Sequence, residues 1–211
     1  MILQPVLVPI PQIHGLSGPK RVQQQREYAR LVLRHAAKLC GAPLDGWRQG
    51  DDGAPIPNEE CYWSISHKRT WAAAVIADRP VGIDVERLAP RKNNGCAGHR
   101  GCTGHRSLFD AVASSAEWDL LGDRSWHAFF RLWTAKEAVL KANGVGIGRL
   151  SSCRLAAIAV APRSGDHRWR VEFDGQPWSI EHFFHDQHVV AVTIGTTPVH
   201  WHVLDDPGCA P

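Results

Sequence analysis

The stretch WTAKEAVLKANG, residues 133–144, organises the reading of this chain. It is rich in good helix formers, and Asn143-Gly144 makes a fitting stop. Trp133, Glu137 and Lys141 recur every four residues, which lines an indole, a carboxylate and an ammonium along one helical face. A solvated Glu-Lys pair at that spacing contributes only about 0.3–0.5 kcal/mol. Two readings are open at this point: a surface ion pair, or a face turned toward a charged ligand.

Working outward, a helical pattern covers roughly 124–143 and another roughly 106–121, with Gly122-Asp123 between them. A third long helix is expected from Pro19 to Cys40. Proline suits its first turn, Ala29, Val32, Leu33, Ala36 and Cys40 form its apolar stripe, and Gly41 can close it. Strand-like runs fall at 5–8, 61–66, 70–77 and 81–86, with Asp78-Arg79-Pro80 as the turn joining the last two. More follow at 154–160, 169–173, 178–184, 189–194 and 199–204, and Asp174-Gly175 is a strong hairpin signal. Residues 41–60 and 87–105 read as irregular. This order predicts an α+β protein of two halves, each an antiparallel sheet packed against a long helix.

Composition narrows the function classes. The chain has 211 residues and a net charge of +3, too weakly basic to imply nucleic acid. No apolar run approaches the roughly 18 residues a membrane span needs, and MILQPVLVPIPQ lacks the basic start of a signal peptide. Cys40, Cys61, Cys96, Cys102, Cys153 and Cys209 are dispersed, which favours reduced thiols and a cytoplasmic protein.

Four patterns carry possible chemistry. In VGIDVE (81–86) Asp84 and Glu86 leave one face of a strand, while Val81, Ile83 and Val85 leave the other. Paired carboxylates suit a hard cation such as Mg²⁺, and equally a solvated strand face. Arg26, Arg30, Arg34 and Lys38 stack like charges at four-residue spacing, a repulsion that either solvent or a polyanion relieves. Ser66-His67, with Lys68 and Arg69, ends a strand but lacks the G-x-S-x-G setting of a hydrolase nucleophile. Cys96, His99, Cys102 and His105 lie three apart, either a zinc tetrad of unusual spacing or incidental residues of a glycine-rich loop.

The order of these motifs is more specific than any one of them. Gly-x-Pro at 53–55, Ser66-His67, G-I-D-V-E at 82–86 and W-T-A-K-E-A-V-L-K at 133–141 resemble the 4′-phosphopantetheinyl transferase superfamily. The likeness runs from about residue 26 to 195, and it is to the longer, pseudo-dimeric members that activate nonribosomal peptide and polyketide synthases. It implies two similar subdomains, 1–81 and 82–211, related by pseudo-twofold symmetry in a monomer, with coenzyme A in the cleft between them. It also implies Mg²⁺-dependent transfer of 4′-phosphopantetheine from coenzyme A to a serine of an apo acyl, peptidyl or polyketide carrier protein, releasing adenosine 3′,5′-bisphosphate.

Carried over by position, Asp84, Glu86 and Glu137 hold the metal, and Lys141 meets the phosphates with help from Lys136. Ser66 and His67 contact coenzyme A, and Arg30 and Arg26 hold its 3′-phosphate. Glu137 or Glu117 accepts the hydroxyl proton. Two departures stand out: Lys68 follows Ser-His where Ser or Thr is usual, and Ala54 replaces a common basic residue. A non-catalytic carrier-binding or zinc-binding module on the same scaffold is the alternative.

Overall fold

The computed structural model describes residues 2–13, 15–89, 103–160 and 167–205. The strands are β1 (Val6–Pro9), β2 (Arg48–Gln49), β3 (Pro55–Ile56), β4 (Tyr62–His67), β5 (Trp71–Ala77), β6 (Ile83–Arg87), β7 (Cys153–Val160), β8 (His167–Phe173), β9 (Gln176–His185), β10 (His188–Ile194) and β11 (His202–Val203). The helices are α1 (Gly18–Cys40), α2 (Thr103–Val112), α3 (Ser115–Leu121) and α4 (Trp126–Ala142). Among the described residues no helix is long and apolar enough to cross a membrane.

Two sheets stack between two long helices. The first runs β11-β1-β5-β4 and the second β6-β10-β9-β8-β7. Helix α1 lays Ala29, Val32, Leu33, Ala36 and Ala37 on one face of the first sheet, against Val6, Val8, Ala72, Ala74 and Ile76. The alternate residues of β1 and β5, Leu7, Trp71, Ala73 and Val75, meet Ile83, Val85, Val190 and Val192 of the second sheet. The far face of that sheet, with Trp169, Val171, Ile180, Val189 and Ala191, takes α4. Both faces of β1, β5 and β10 are covered, so their alternate residues enter different cores, and with the one-sided burial of the helices this builds four layers.

Several local expectations need correction. The helix expected over 106–121 is two, α2 and α3, because Ser114 caps α3 and Glu117 reaches back to the Ser114 N–H at 2.9 Å. Residues 78–80 do join the two runs, but β5 and β6 belong to different sheets, so the segment carries the chain from one sheet to the other and closes no hairpin. The first sheet is not wholly antiparallel, since β11 returns from the chain's far end and pairs parallel with β1. Residues 41–60, expected to be irregular, hold the short ribbon β2-β3. Asp174-Gly175 does turn β8 into β9, both at positive φ (48° and 77°). Cys96, His99 and Cys102 lie outside the described residues, as does the side chain of His105, and the zinc reading falls there.

Candidate active site

Strands β4 and β6 are the facing edges of the two sheets, and they meet without a backbone ladder. Serines of β4 replace it: Ser64 Oγ accepts from the Ile83 N–H at 3.1 Å and Ser66 Oγ accepts from the Val85 N–H at 3.3 Å. Helix α4 approaches the start of β6 closely. A Cβ on Gly82 would stand 1.8 Å from the Ala138 carbonyl oxygen, so only glycine admits the helix. This contact sets Glu137 and Lys141 against the Asp84 strand.

A cleft of about 560 Å³ opens at this junction. It is lined by Arg26 and Arg30 from α1, Gln49, Gly53 and Pro55 from the ribbon, Ser64–Lys68 from the end of β4, Asp84, and Glu137 and Lys141. Five elements of structure therefore converge, bringing together most of the residues singled out in the sequence. Arg34 is elsewhere, 3.6 Å from Asp45 in an exposed pair.

The interior of the cleft is a network of opposite charges. Lys141 Nζ donates to Asp84 Oδ1 at 2.7 Å and to the Ile83 carbonyl at 3.1 Å. Ser66 Oγ donates to the same Asp84 oxygen at 2.7 Å. Asp84 Oδ2 is buried and has no hydrogen-bond partner among the described residues. Lys68 Nζ lies 2.7 Å from Glu86 Oε1. Burial works to lower the Lys68 pKa, but the adjacent Glu86 carboxylate outweighs it and the net shift is upward.

Glu137 has its carboxyl pKa raised, by burial first and by the Asp84 charge second, against the opposing pull of Lys141 and Lys68. His67 is pushed down, chiefly by burial and then by Lys141, Lys68 and Arg26, so it stands neutral at physiological pH. Its Nδ1 is also without a partner among the described residues. Those residues contain no ready-made cage of three or more His, Cys, Asp or Glu side chains. What the cleft does contain is an orphaned carboxylate oxygen beside a second carboxyl group that is costly to ionise. A divalent cation relieves both, and oxygen donors of this kind suit Mg²⁺.

Three predicted site residues do not line the cleft: Glu86, which is paired with Lys68, and Lys136 and Glu117. Lys136 is 1 % exposed, and its ammonium sits 2.7 Å from Glu117 Oε1 while donating to the Val112 carbonyl at 2.6 Å. Glu117 also accepts from the Leu155 N–H at 2.8 Å and closes the cap of α3. Burial tends to raise the Glu117 pKa, but its bonds from Lys136, Leu155 and Ser114 bring it below the usual carboxylate value. The pair ties α3, α4 and β7 together rather than facing the cleft. Helical spacing explains the separation: Lys136 leaves α4 about 100° away from Glu137. Ser64 and Gln49 line the cleft without belonging to any of the motifs, and Gly82 stands in the G-I-D-V-E motif but with no role assigned to it there. A glycine directly before an apolar-acidic strand was the available signal for the last.

The fold and the cleft define a class: a two-sheet α+β protein with a cation-lined, carboxylate-containing cleft between opposed edge strands. A model of the 4′-phosphopantetheinyl transferase superfamily matches residues 80–193, more than half of the sequence. The chain belongs to that superfamily. It is 32 % identical over 142 residues to a Haemophilus influenzae protein provisionally named a 4′-phosphopantetheinyl transferase, an alignment covering 62 % of this chain and 55 % of that one. The 4′-phosphopantetheinyl transferase HetI of a Nostoc species is 28 % identical over 172 residues, 77 % of this chain and 62 % of its own. For AcpT of Escherichia coli K12, a protein of the same name class, the figures are 30 % over 144 residues, 64 % and 66 %. The chain thus spans between about half and two thirds of the length of these relatives.

Proposed function

We propose that the protein transfers 4′-phosphopantetheine from coenzyme A to a serine of an apo carrier protein, releasing adenosine 3′,5′-bisphosphate. One observation carries this reading: cations from α1, the end of β4 and α4 converge on a single cleft beside Asp84 and Glu137. Family membership supports the reaction class. Coenzyme A has phosphate groups at two separated positions, which matches cations distributed over two sides of a cleft.

In this reading Arg26 and Arg30 bind the 3′-phosphate, while Lys141 and His67 orient the diphosphate. The carrier serine oxygen forms a new bond to the phosphorus nearer the pantetheine. The bond from that phosphorus to the bridging oxygen breaks, and the bridging oxygen leaves with the adenosine bisphosphate. Glu137 takes the serine proton, since Glu117 is committed to Lys136. His67, kept neutral by burial and neighbouring cations, donates or accepts a hydrogen bond without adding charge. Asp84 and Glu137 are the residues that would hold Mg²⁺, which when bound supplies neutralisation of the diphosphate.

The same reading takes the two halves as a pseudo-twofold pair meeting near residue 81, and the protein as a cytoplasmic monomer. Its test is intact-mass measurement of several apo carrier proteins incubated with the protein, coenzyme A and Mg²⁺. A gain of one phosphopantetheine that disappears with EDTA is expected. No gain on any carrier, from a preparation that binds coenzyme A, sinks the catalytic reading in favour of a binding module.

A further inference from the structure

Asp84 and Glu86 leave the same face of β6, but they meet different surroundings. Asp84 lines the cleft and Glu86 does not. The ion-pair partner of Glu86, Lys68, does line it. The Lys68 ammonium is 2.7 Å from Glu86 Oε1, with side-chain exposures of 42 % and 10 %, so the cation covers the carboxylate from the solvent side. Lys68 also lies within electrostatic reach of Asp84 and Glu137. The two carboxylates of the strand are therefore not equivalent. One presents an oxygen with no partner among the described residues, and the other is already neutralised.

We propose that Lys68 withholds Glu86 from the divalent cation, and that Glu86 instead positions the Lys68 ammonium toward the diphosphate of the substrate. This inference rests on the reading of the cleft given above. Among the described residues, Asp84 and Glu137 are then the carboxylates that ligate the metal. Two suffice for Mg²⁺, which commonly keeps several waters and completes its shell with substrate phosphate. The unpartnered Asp84 Oδ2 gains a full partner from the cation, whereas Glu86 must first give up a charge-assisted bond. An ammonium carries three donors, so one can stay on Glu86 while the others reach an anion in the cleft. Glu86 is on this account a positioning residue, and Lys68 a binding residue.

The test uses Mn²⁺ alone as the probe and counts its inner-sphere waters by water-proton relaxation. Four proteins are compared: wild type, Asp84→Asn, Glu86→Gln and Lys68→Thr. The Mn²⁺ hydration of Glu86→Gln should equal that of wild type, while Asp84→Asn should gain a water and bind Mn²⁺ at least tenfold more weakly. Lys68→Thr should lose a water as Glu86 is freed to join the shell. A gain of a water in Glu86→Gln overturns the proposal, because it makes Glu86 a ligand in the native protein. Unchanged hydration in Lys68→Thr overturns the withholding role. Calorimetry with coenzyme A supplies the second arm: Glu86→Gln and Lys68→Thr should weaken binding to a similar degree, about three- to tenfold, and wild-type affinity in Glu86→Gln overturns the positioning role. Wild-type protein that binds coenzyme A but no Mn²⁺ overturns the metal reading itself, and this inference with it. If Glu86→Gln does not fold, Lys68→Thr and Lys68→Met, changed at a partly exposed side chain, decide the question.

Discussion

Lys136 Nζ and Glu117 Oε1 are 2.7 Å apart, with side chains only 2 % and 6 % exposed, and they join α4 to the cap of α3. Breaking such a pair from one side leaves the other charge buried and alone, at a cost of about 3–5 kcal/mol. Glu117→Gln should therefore lower the urea midpoint strongly while coenzyme A affinity, measured where the variant is still folded, stays within about twofold. The double variant Glu117→Gln/Lys136→Met should lose less stability than the two single changes added together. A Glu117→Gln protein with normal stability and lost turnover would return Glu117 to a catalytic role.

Gly82 supports a prediction of a different kind. An added Cβ meets backbone, 1.8 Å from the Ala138 oxygen and 2.8 Å from the Ala142 nitrogen, and backbone cannot swing aside. Gly82→Ala should cost at least about 1–3 kcal/mol by overpacking and should weaken coenzyme A binding by pushing Glu137 and Lys141 away from Asp84. Gly148→Ala is the control, because nothing lies within 4 Å of its added carbon. Thermal melts of the two variants should separate clearly, with Gly148→Ala within about 0.5 kcal/mol of wild type. Equal melting temperatures would remove the close-approach argument.

How much of this was legible from the residues depends on how local each determinant is. Helices α1 and α4 announce themselves by apolar spacing, and the Asp84-Glu86 strand by its alternation. The break between α2 and α3 is also written locally, in Ser114-x-x-Glu117, a capping box that the continuous helical pattern over 106–121 hides. The burial of Lys136 was not legible. A lysine in a helix counts as polar until its partner is known, and Glu117 arrives from a separate helix that tertiary packing sets beside it. The parallel return of β11 to β1 likewise depends on which sheet edge is left open after everything else has packed. Lys68 was conspicuous as a departure, yet only the structure shows it seated on Glu86.

His182 sets a pH dependence of stability. It is buried against Trp169, with ring centroids 4.7 Å apart, and shares a 3.0 Å hydrogen bond with the Arg131 carbonyl. Burial, reinforced by the Arg131 guanidinium, lowers its pKa from 6.5 to about 3. The folded value lies below the unfolded one, so the unfolded chain takes up a proton that the folded chain refuses. This contribution is fully present above about pH 6.5 and is lost as the pH falls toward 3, at roughly 1.4 kcal/mol per unit. Between pH 6.5 and 5 the wild type should lose about 2 kcal/mol from this group alone. His182→Gln should be less stable at pH 7 but should show a shallower decline over the same interval, measured by urea melts at each pH. Parallel declines in the two proteins would show that His182 titrates normally.

Arg30 yields a prediction in which stability and binding move in opposite directions. It stands four residues from Arg26 and from Arg34 on α1, and like charges at that spacing repel by a few tenths of a kcal/mol (about 0.2–0.5) each. Arg26 and Arg30 both reach the cleft, where the proposed 3′-phosphate would satisfy them. Without ligand, Arg30→Ala should melt at the wild-type temperature or slightly above it, since alanine also favours the helix. With saturating coenzyme A the variant should gain less, because a roughly tenfold loss of affinity removes about 1.4 kcal/mol of ligand-induced stabilisation. The difference should vanish with 3′-dephospho-coenzyme A, which lacks the group that Arg30 is proposed to grip. An equal deficit with both ligands would move Arg30 to the diphosphate, and an unchanged shift with coenzyme A would leave the basic stripe of α1 as a solvated face.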